Sequence, residues 1–134
     1  MVRMRRLRVN EAMRSLVREN SVSKYDLVYP VFLIEGENIK NPVDSMPGIY
    51  QWSIARFDEE LERILTAGIK AILIFGIPKH KDEKGSEAYN DEGITQRAIR
   101  HIKEKAPDLL VIADVCLCEY TSHGHCGLIC GHEI

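Results

Sequence analysis

Cysteine and histidine residues that could bind a metal crowd the C-terminal end of the chain. All four cysteines fall within fifteen positions, and three histidines lie among or beside them. In chain order these residues are Cys116, Cys118, His123, His125, Cys126, Cys130 and His132. Thiolate sulfur and imidazole nitrogen are protein ligands that zinc prefers. The segment is therefore the first candidate for a metal site.

The residues around the cysteines indicate how the thiols can converge. The apolar run at residues 109–113 predicts a buried strand that leads into the cluster. Side chains alternate between the two faces of a strand, so Cys116 and Cys118 project to the same side if the extended conformation continues. The serine and glycines that follow suit a turning loop that returns Cys126 to the same point. Three thiolates can then meet around one zinc ion.

Two other interpretations of the cysteines stay open at this point. Their spacing differs from the usual zinc signatures, which use two C-x2-C pairs or one such pair with two histidines. The cysteines can instead be small buried core residues, as free cysteine often is. They can also form disulfides, although no secretory segment supports that interpretation.

The motif DVCLCEYTSHGHCG, at residues 114–127, resembles the zinc-site segment of the porphobilinogen synthase family, also called 5-aminolevulinate dehydratase. The motifs RRLR, DLVYPVF, SMPGIY, FGIP, GSEAYN and QRAIRHIK resemble the same family and occur in its order. The resemblance covers nearly the whole chain from about Arg5 onward. It implies an enzyme of tetrapyrrole (haem) biosynthesis that condenses two 5-aminolevulinate molecules into porphobilinogen.

The resemblance implies a role for each residue of the cluster. Cys116, Cys118 and Cys126 match the zinc ligands, and three ligands leave a fourth position for water or substrate. The zinc would act as a Lewis acid on the substrate. His125 matches a residue expected to orient the loop without binding zinc. Cys130 lies outside the ligand triplet.

The same resemblance assigns the other catalytic groups. Asp114 matches an active-site carboxylate, and the alternative is a simple cap at the end of a strand. Both lysines that hold substrate as Schiff bases sit on later strands of the family, so neither is expected in this chain. Lys70 and Lys79 match no such position, and they are expected to be exposed.

The family fold is a TIM barrel, an α/β fold of eight strand-helix units that needs about 250 residues. A chain of 134 residues is therefore expected to supply only an N-terminal arm and about three units. We expect an arm and short helix at residues 1–20, and a partial barrel at 21–134 that ends in the zinc-binding loop. Such a fragment is expected to be inactive alone.

Hydrophobic patterns predict the strands of this partial barrel. Apolar runs at residues 26–34, 69–77 and 109–113 predict three buried strands, with Pro30 at a bulge or on an unpaired side. Residues 35–52 are predicted to be a long polar loop. The alternation of strands and helices predicts a parallel sheet.

Capping residues predict the helices. Asn10 is expected to cap a short helix in the arm. Ser53 and Gly68 are expected to begin and end the second helix, and Asn90 and Pro107 to bracket the third.

The first twenty residues carry six arginines. The resemblance implies that this arm wraps a neighbouring subunit in a homo-oligomer, commonly an octamer, whereas the alternative is a frayed terminus. Some relatives also bind a magnesium effector, and the sequence does not decide whether this protein does.

Composition argues against several other classes of protein. The formal charge of -2 provides no basic field for nucleic acid. The sequence has neither a long apolar segment nor a secretory signal, so we expect a cytoplasmic protein that does not enter a membrane. A nucleotide-binding domain is disfavoured because no glycine-rich phosphate loop follows a strand. A non-catalytic zinc-binding or interaction module derived from the same family is the remaining alternative.

Overall fold

The computed structural model of the chain describes residues 3–131, so His132 lies outside the described residues. These residues form three α-helices and five β-strands. In chain order the elements are α1 (Glu11–Leu16), β1 (Val28–Ile34), β2 (Lys40–Pro42), β3 (Tyr50–Trp52), α2 (Asp58–Ala67), β4 (Ala71–Ile77), α3 (Ile94–Lys105) and β5 (Leu110–Ala113).

The five strands form one sheet in the order β2-β3-β1-β4-β5. The three predicted strands, β1, β4 and β5, are confirmed, and they lie side by side in chain order and parallel to one another. Helices α2 and α3 connect them. This progression in one direction is that of a barrel, because a doubly wound sheet reverses its strand order at a switch point.

The prediction of a long polar loop at residues 35–52 was wrong in part. The segment contains β2 and β3, which pair antiparallel with Lys40 opposite Trp52, and β3 then pairs parallel to β1. The sheet is therefore mixed. Each strand has only three residues and β2 contains Asn41 and Pro42, so neither strand presents the alternation that reveals a longer strand.

Pro30 lies within β1 without a bulge. The register between β1 and β4 runs unbroken through the pair Pro30 and Leu73. On the other side, β3 pairs with β1 only at Phe32 and Leu33. Pro30 thus faces a side of the strand without a described partner, where its missing N–H costs no hydrogen bond of the sheet.

The core lies between the sheet and its two longer helices. Helix α2 contributes Leu61 and Ile64, and α3 contributes Ile94, Ala98 and Ile102, all at most 3% exposed. They pack on alternate residues of the two central strands, which are Val31, Leu33, Ile72 and Ile74. Burial of each large aliphatic side chain contributes about 1.5–3 kcal/mol. This packing fixes the sheet that carries the cysteine segment.

The predicted N-terminal ends of both longer helices were wrong by several residues. Helix α2 begins at Asp58, because the Ser53 hydroxyl instead accepts a 2.9 Å hydrogen bond from Ile39 N and anchors the β2–β3 hairpin. Helix α3 begins at Ile94, because the Asn90 side chain caps a preceding turn through Glu92 N. Gly68 does end α2, in the left-handed conformation at φ 78°.

The face of the sheet opposite the helices is also apolar. The rings of Phe32 and Phe75 stack on it with centroids 5.3 Å apart. At its edge, Leu110 and Ile112 of β5 are 59% and 36% exposed. Within a closed barrel this face would point to the interior, where side chains from the strands fill the core.

The described part of the N-terminal arm contains two short helical segments. Residues Arg6–Arg8 form a 3-10 turn, and Asn10 caps α1 by accepting a 2.9 Å hydrogen bond from Met13 N, as predicted. Leu7 and Leu16 are 56% and 82% exposed. The arm therefore leaves apolar side chains in contact with solvent. Among residues 3–131, no helix has the length and apolar character needed to cross a bilayer.

Candidate metal centre

Three cysteine sulfurs meet at the C-terminal end of β5. Cys126 Sγ lies 3.4 Å from Cys116 Sγ and 3.3 Å from Cys118 Sγ, and all three sulfurs lie within 4.8 Å of one another. All are free thiols, since a disulfide would bring two sulfurs to about 2.05 Å. The distances between the sulfurs thus argue against a disulfide. The exposure of Cys126 argues against a buried core residue, so a shared metal centre is the favoured interpretation.

The geometry of the three sulfurs fits a zinc ion. Zinc binds thiolate at about 2.3 Å in a tetrahedron, which places neighbouring sulfurs about 3.8 Å apart. The sulfurs here need to separate by only a few tenths of an ångström. The Leu117 N–H also points to Cys126 Sγ at 3.2 Å, a contact that stabilises negative charge on sulfur.

A turn, and not a continued strand, brings Cys116 and Cys118 together. Strand β5 ends at Ala113, and the backbone then turns so that Tyr120 N and Thr121 N both donate to Leu117 O, at 2.9 and 3.0 Å. The expectation of an extended backbone through Cys118 was therefore wrong. The side chains converge nonetheless, because the turn redirects Cys118 toward the same point.

Hydrogen bonds among the thiols separate their proton affinities. Bonds from Cys118, from Leu117 N–H and from Cys116 lower the pKa of Cys126. The bonds that Cys118 makes with Cys126 and Cys116 raise the pKa of Cys118 to about 12. One sulfur is thus the first to ionise while a neighbour keeps its proton. A divalent ion would displace the remaining protons, so its binding depends on pH.

Asp114 lies where β5 ends, and its backbone N–H donates to Ile74 O of β4 at 3.2 Å. The carboxylates of Asp114 and Glu119 lie with Cys116 Sγ in a second group whose ligand atoms are within 4.8 Å of one another. Burial, and then the charge of Asp114, raise the pKa of Glu119. Glu119 lies within the motif at residues 114–127, but the sequence alone assigned it no role.

The two histidines of the motif lie next to each other. The rings of His123 and His125 stack with centroids 5.9 Å apart, and His123 Nδ1 accepts from His125 N at 3.2 Å. Neither belongs to the groups of potential ligand atoms found among residues 3–131. The orienting role of His125 stays a prediction. Cys130 is exposed and also lies outside these groups.

A cavity of about 340 Å³ adjoins the thiol group between α3 and the end of β5. Its wall includes Asp114, Cys116, Thr95 and Tyr120, together with apolar residues of both elements. Thr95 Oγ1 and Tyr120 Oη are 2.7 Å apart in a buried hydrogen bond that ties the cysteine segment to α3. The segment that carries the candidate ligands is therefore attached to α3 by a buried contact.

Comparison with known proteins reveals relatives along the whole length of the chain. A family model for delta-aminolevulinic acid dehydratase matches residues 1–134. The dehydratase of Ruminiclostridium josui is 51% identical over 132 residues, which are 98% of this chain and 64% of that protein. The dehydratase of Halalkalibacterium halodurans is 52% identical over 127 residues, which are 95% of this chain and 39% of that protein.

A solved structure supports the same relationship. Delta-aminolevulinic acid dehydratase (porphobilinogen synthase) from Toxoplasma gondii ME49, in complex with the reaction product porphobilinogen, superposes with a TM-score of 0.88 at 38% identity. The match covers 98% of this chain and 38% of that chain, so the α/β sheet corresponds to part of the family's TIM barrel, as predicted.

The chain spans 39% to 64% of the length of the two curated relatives described. Its resemblance to the family, predicted from the motifs, is confirmed along the full sequence. This protein belongs to the delta-aminolevulinic acid dehydratase family.

Proposed function

We propose that this chain is the zinc-binding, N-terminal part of a porphobilinogen synthase that condenses two molecules of 5-aminolevulinate. The observation that carries the proposal is the convergence of three cysteine sulfurs within 4.8 Å at the C-terminal end of a parallel strand. In TIM-barrel enzymes the chemistry gathers at that end of the strands. The reaction is inferred from the family to which the chain belongs.

In this proposal Cys116, Cys118 and Cys126 hold the zinc ion. Three protein ligands leave a fourth position, which is typical of a catalytic site and not of a closed structural one. When bound, zinc supplies a Lewis acid that polarises the substrate. The Leu117 N–H, 3.2 Å from Cys126 Sγ, stabilises the thiolate. His125 orients the loop without binding the ion.

Asp114 is proposed to be the active-site carboxylate of this part of the enzyme. It follows β5 directly and lies beside Cys116, so it can orient a proton donor or the amine of a substrate next to the metal. The lysines that form Schiff bases in the family have no match in this chain. The complete reaction therefore needs the part of the family's barrel that this sequence does not include.

The N-terminal arm is proposed to join subunits into a homo-oligomer. Exposed Leu7 and Leu16 gain from burial against a neighbour, and the arginines of the arm provide charge for pairing. Removing residues 1–9 from a complete enzyme should lower the oligomeric mass measured by light scattering after size-exclusion chromatography. An unchanged mass would contradict this role. A magnesium effector stays a prediction from the family.

Zinc content tests the proposed metal site. The purified chain should hold one zinc per polypeptide by mass spectrometry of the metal, and Cys126→Ser should hold far less because it removes the sulfur common to both short contacts. Cys130→Ser is the matched control, because Cys130 is exposed and outside the group. Well under one zinc in the unmutated chain, with none gained on titration, would contradict the assignment.

A second experiment separates the enzyme from a non-catalytic zinc module. Borohydride reduction in the presence of 5-aminolevulinate traps Schiff bases as stable adducts. The 134-residue chain should bind zinc but form no adduct. A native polypeptide with an intact mass above 15.3 kDa that does form adducts supports the enzyme. A native polypeptide of 15.3 kDa that forms none supports the module.

A further inference from the structure

The metal loop comprises residues 116–126. The half of this loop that carries Cys126 is attached to a different part of the fold from the half that carries Cys116. Cys116 follows β5 closely, so the sheet places it directly. Cys126 is ten positions further along, after an irregular loop. Its position therefore depends on whatever holds that loop in place.

The connection between β4 and α3 holds the loop. Asp82 O accepts a 2.9 Å hydrogen bond from Ser122 N, and Asp82 forms an isolated parallel β-bridge with Thr121. That hydrogen bond is part of the bridge, and the bridge attaches the middle of the metal loop to a neighbouring loop that contributes no residue to the described groups of potential metal ligands.

The side chain of Asp82 in turn fixes the neighbouring loop. Asp82 Oδ1 accepts from Lys84 N at 3.0 Å and from Ser86 N at 2.9 Å, which closes a tight turn around the carboxylate. Because the carboxylate holds these two backbone N–H groups, the turn keeps a fixed shape, in which Asp82 O accepts the hydrogen bond from Ser122 N. The turn is thus closed by contacts within this loop alone.

Thr121 carries the attachment onward to Cys126. It is 3% exposed, and its Oγ1 donates a 3.0 Å hydrogen bond to His125 O. That carbonyl belongs to the peptide bond that precedes Cys126. A continuous set of contacts therefore runs from Asp82 through Thr121 to the backbone of Cys126.

We propose that Asp82 and Thr121 are positioning residues that hold Cys126 in place for metal binding, although neither touches the ion. This inference rests on the proposed function, because it assumes that the three cysteines bind zinc. Hydrogen-bonded groups behind metal ligands typically change metal affinity about 10–100-fold when removed. The cost arises because a mobile Cys126 must be ordered when the ion binds.

Zinc affinity measured by competition with a chromophoric chelator tests the proposal on the full chain. Asp82→Ala should bind zinc about tenfold more weakly or worse, whereas Asp82→Asn should stay within about threefold because its amide oxygen can accept the same two hydrogen bonds. Asp108→Ala is the matched control, since Asp108 is exposed and its carboxylate makes no hydrogen bond among residues 3–131. It should bind like the unmutated chain.

A second pair of variants tests the step at Thr121. Thr121→Val keeps the shape and loses the hydroxyl, so it should weaken zinc binding about tenfold, and Thr121→Ser should restore it. If circular dichroism shows that Asp82→Ala does not fold, the comparison of Thr121→Val with Thr121→Ser tests the inference alone. Equal affinity of Asp82→Ala and Asp108→Ala, or of Thr121→Val and Thr121→Ser, would overturn the inference. If the unmutated chain binds no zinc, the proposed function itself would be overturned.

Discussion

A methyl group added at Gly76 should disrupt the support beneath the metal loop. Gly76 lies in β4, and a Cβ built there overlaps Thr95 Oγ1 and lies 3.0 Å from Tyr120 Oη and 3.1 Å from Ile94 Cγ2. Thr95 and Tyr120 are 7% and 5% exposed, and they share a 2.7 Å hydrogen bond. Gly76→Ala therefore forces this buried, hydrogen-bonded pair out of its present position.

The expected cost follows from two effects. Overpacking of a core typically costs about 1–3 kcal/mol. Breaking a buried hydrogen bond, so that each partner is left unpaired, costs about 1–3 kcal/mol more. We therefore expect Gly76→Ala to lower the free energy of unfolding by about 2–6 kcal/mol, measured by urea denaturation followed by circular dichroism.

A double-mutant cycle separates the clash from a general effect of the substitution. Thr95→Ala removes the oxygen that the new methyl meets, so Gly76→Ala should cost at least about 1 kcal/mol less in that background. The residual cost comes from the close contacts with Tyr120 Oη and Ile94 Cγ2. A loss below about 0.5 kcal/mol for Gly76→Ala, or an equal loss in both backgrounds, would refute the reasoning.

Two further predictions concern hydrogen bonds of the α2 carboxylates Glu60 and Asp58 to neighbouring elements. Tyr29 Oη donates to Glu60 Oε1 at 2.7 Å, and Glu60 is 5% exposed, so Tyr29→Phe should destabilise the fold by about 1–3 kcal/mol in urea denaturation. Burial and Glu60 raise the pKa of Tyr29 to about 12, so its contribution is complete below the usual value of 10.0 and is lost as the pH rises through 12. Burial opposes ionisation of Asp58, but hydrogen bonds from Lys105 and His101 outweigh it and lower the pKa of Asp58 from 3.8. The stability from Asp58 is therefore present above that value and lost as the pH falls through the lower one, and Asp58→Asn should flatten the acid side of a thermal stability profile.

The elements that could be predicted from the sequence are those with a strong hydrophobic pattern. The seven-residue strand β4 is an unbroken apolar run, and α3 places Ile94, Ala98 and Ile102 on one face. Burial imposes such patterns directly, so the sequence records them. The hairpin of β2 and β3 has no such pattern, because three-residue strands are stabilised by pairing with a neighbour that the local sequence does not reveal.

The candidate ligands could be predicted, but the residues that support them could not. Cys116, Cys118 and Cys126 are rare residue types in a specific motif, so their grouping is visible in the sequence. Asp82 lies more than thirty positions earlier, and its contact with the metal loop exists only because β4 and β5 are neighbours in the sheet. Long-range contacts of this kind are set by topology, and common polar residues carry no local signal of them.

The central claim is that three sulfurs of this chain share one zinc ion, and X-ray absorption at the zinc edge tests it most directly. The zinc-loaded chain should show three sulfur neighbours at about 2.3 Å and one lighter neighbour at about 2.0 Å. Cys126→Ser should lose one sulfur from this shell, while Cys130→Ser should keep all three. A shell of nitrogen and oxygen alone, or one that Cys126→Ser leaves unchanged, would contradict the account.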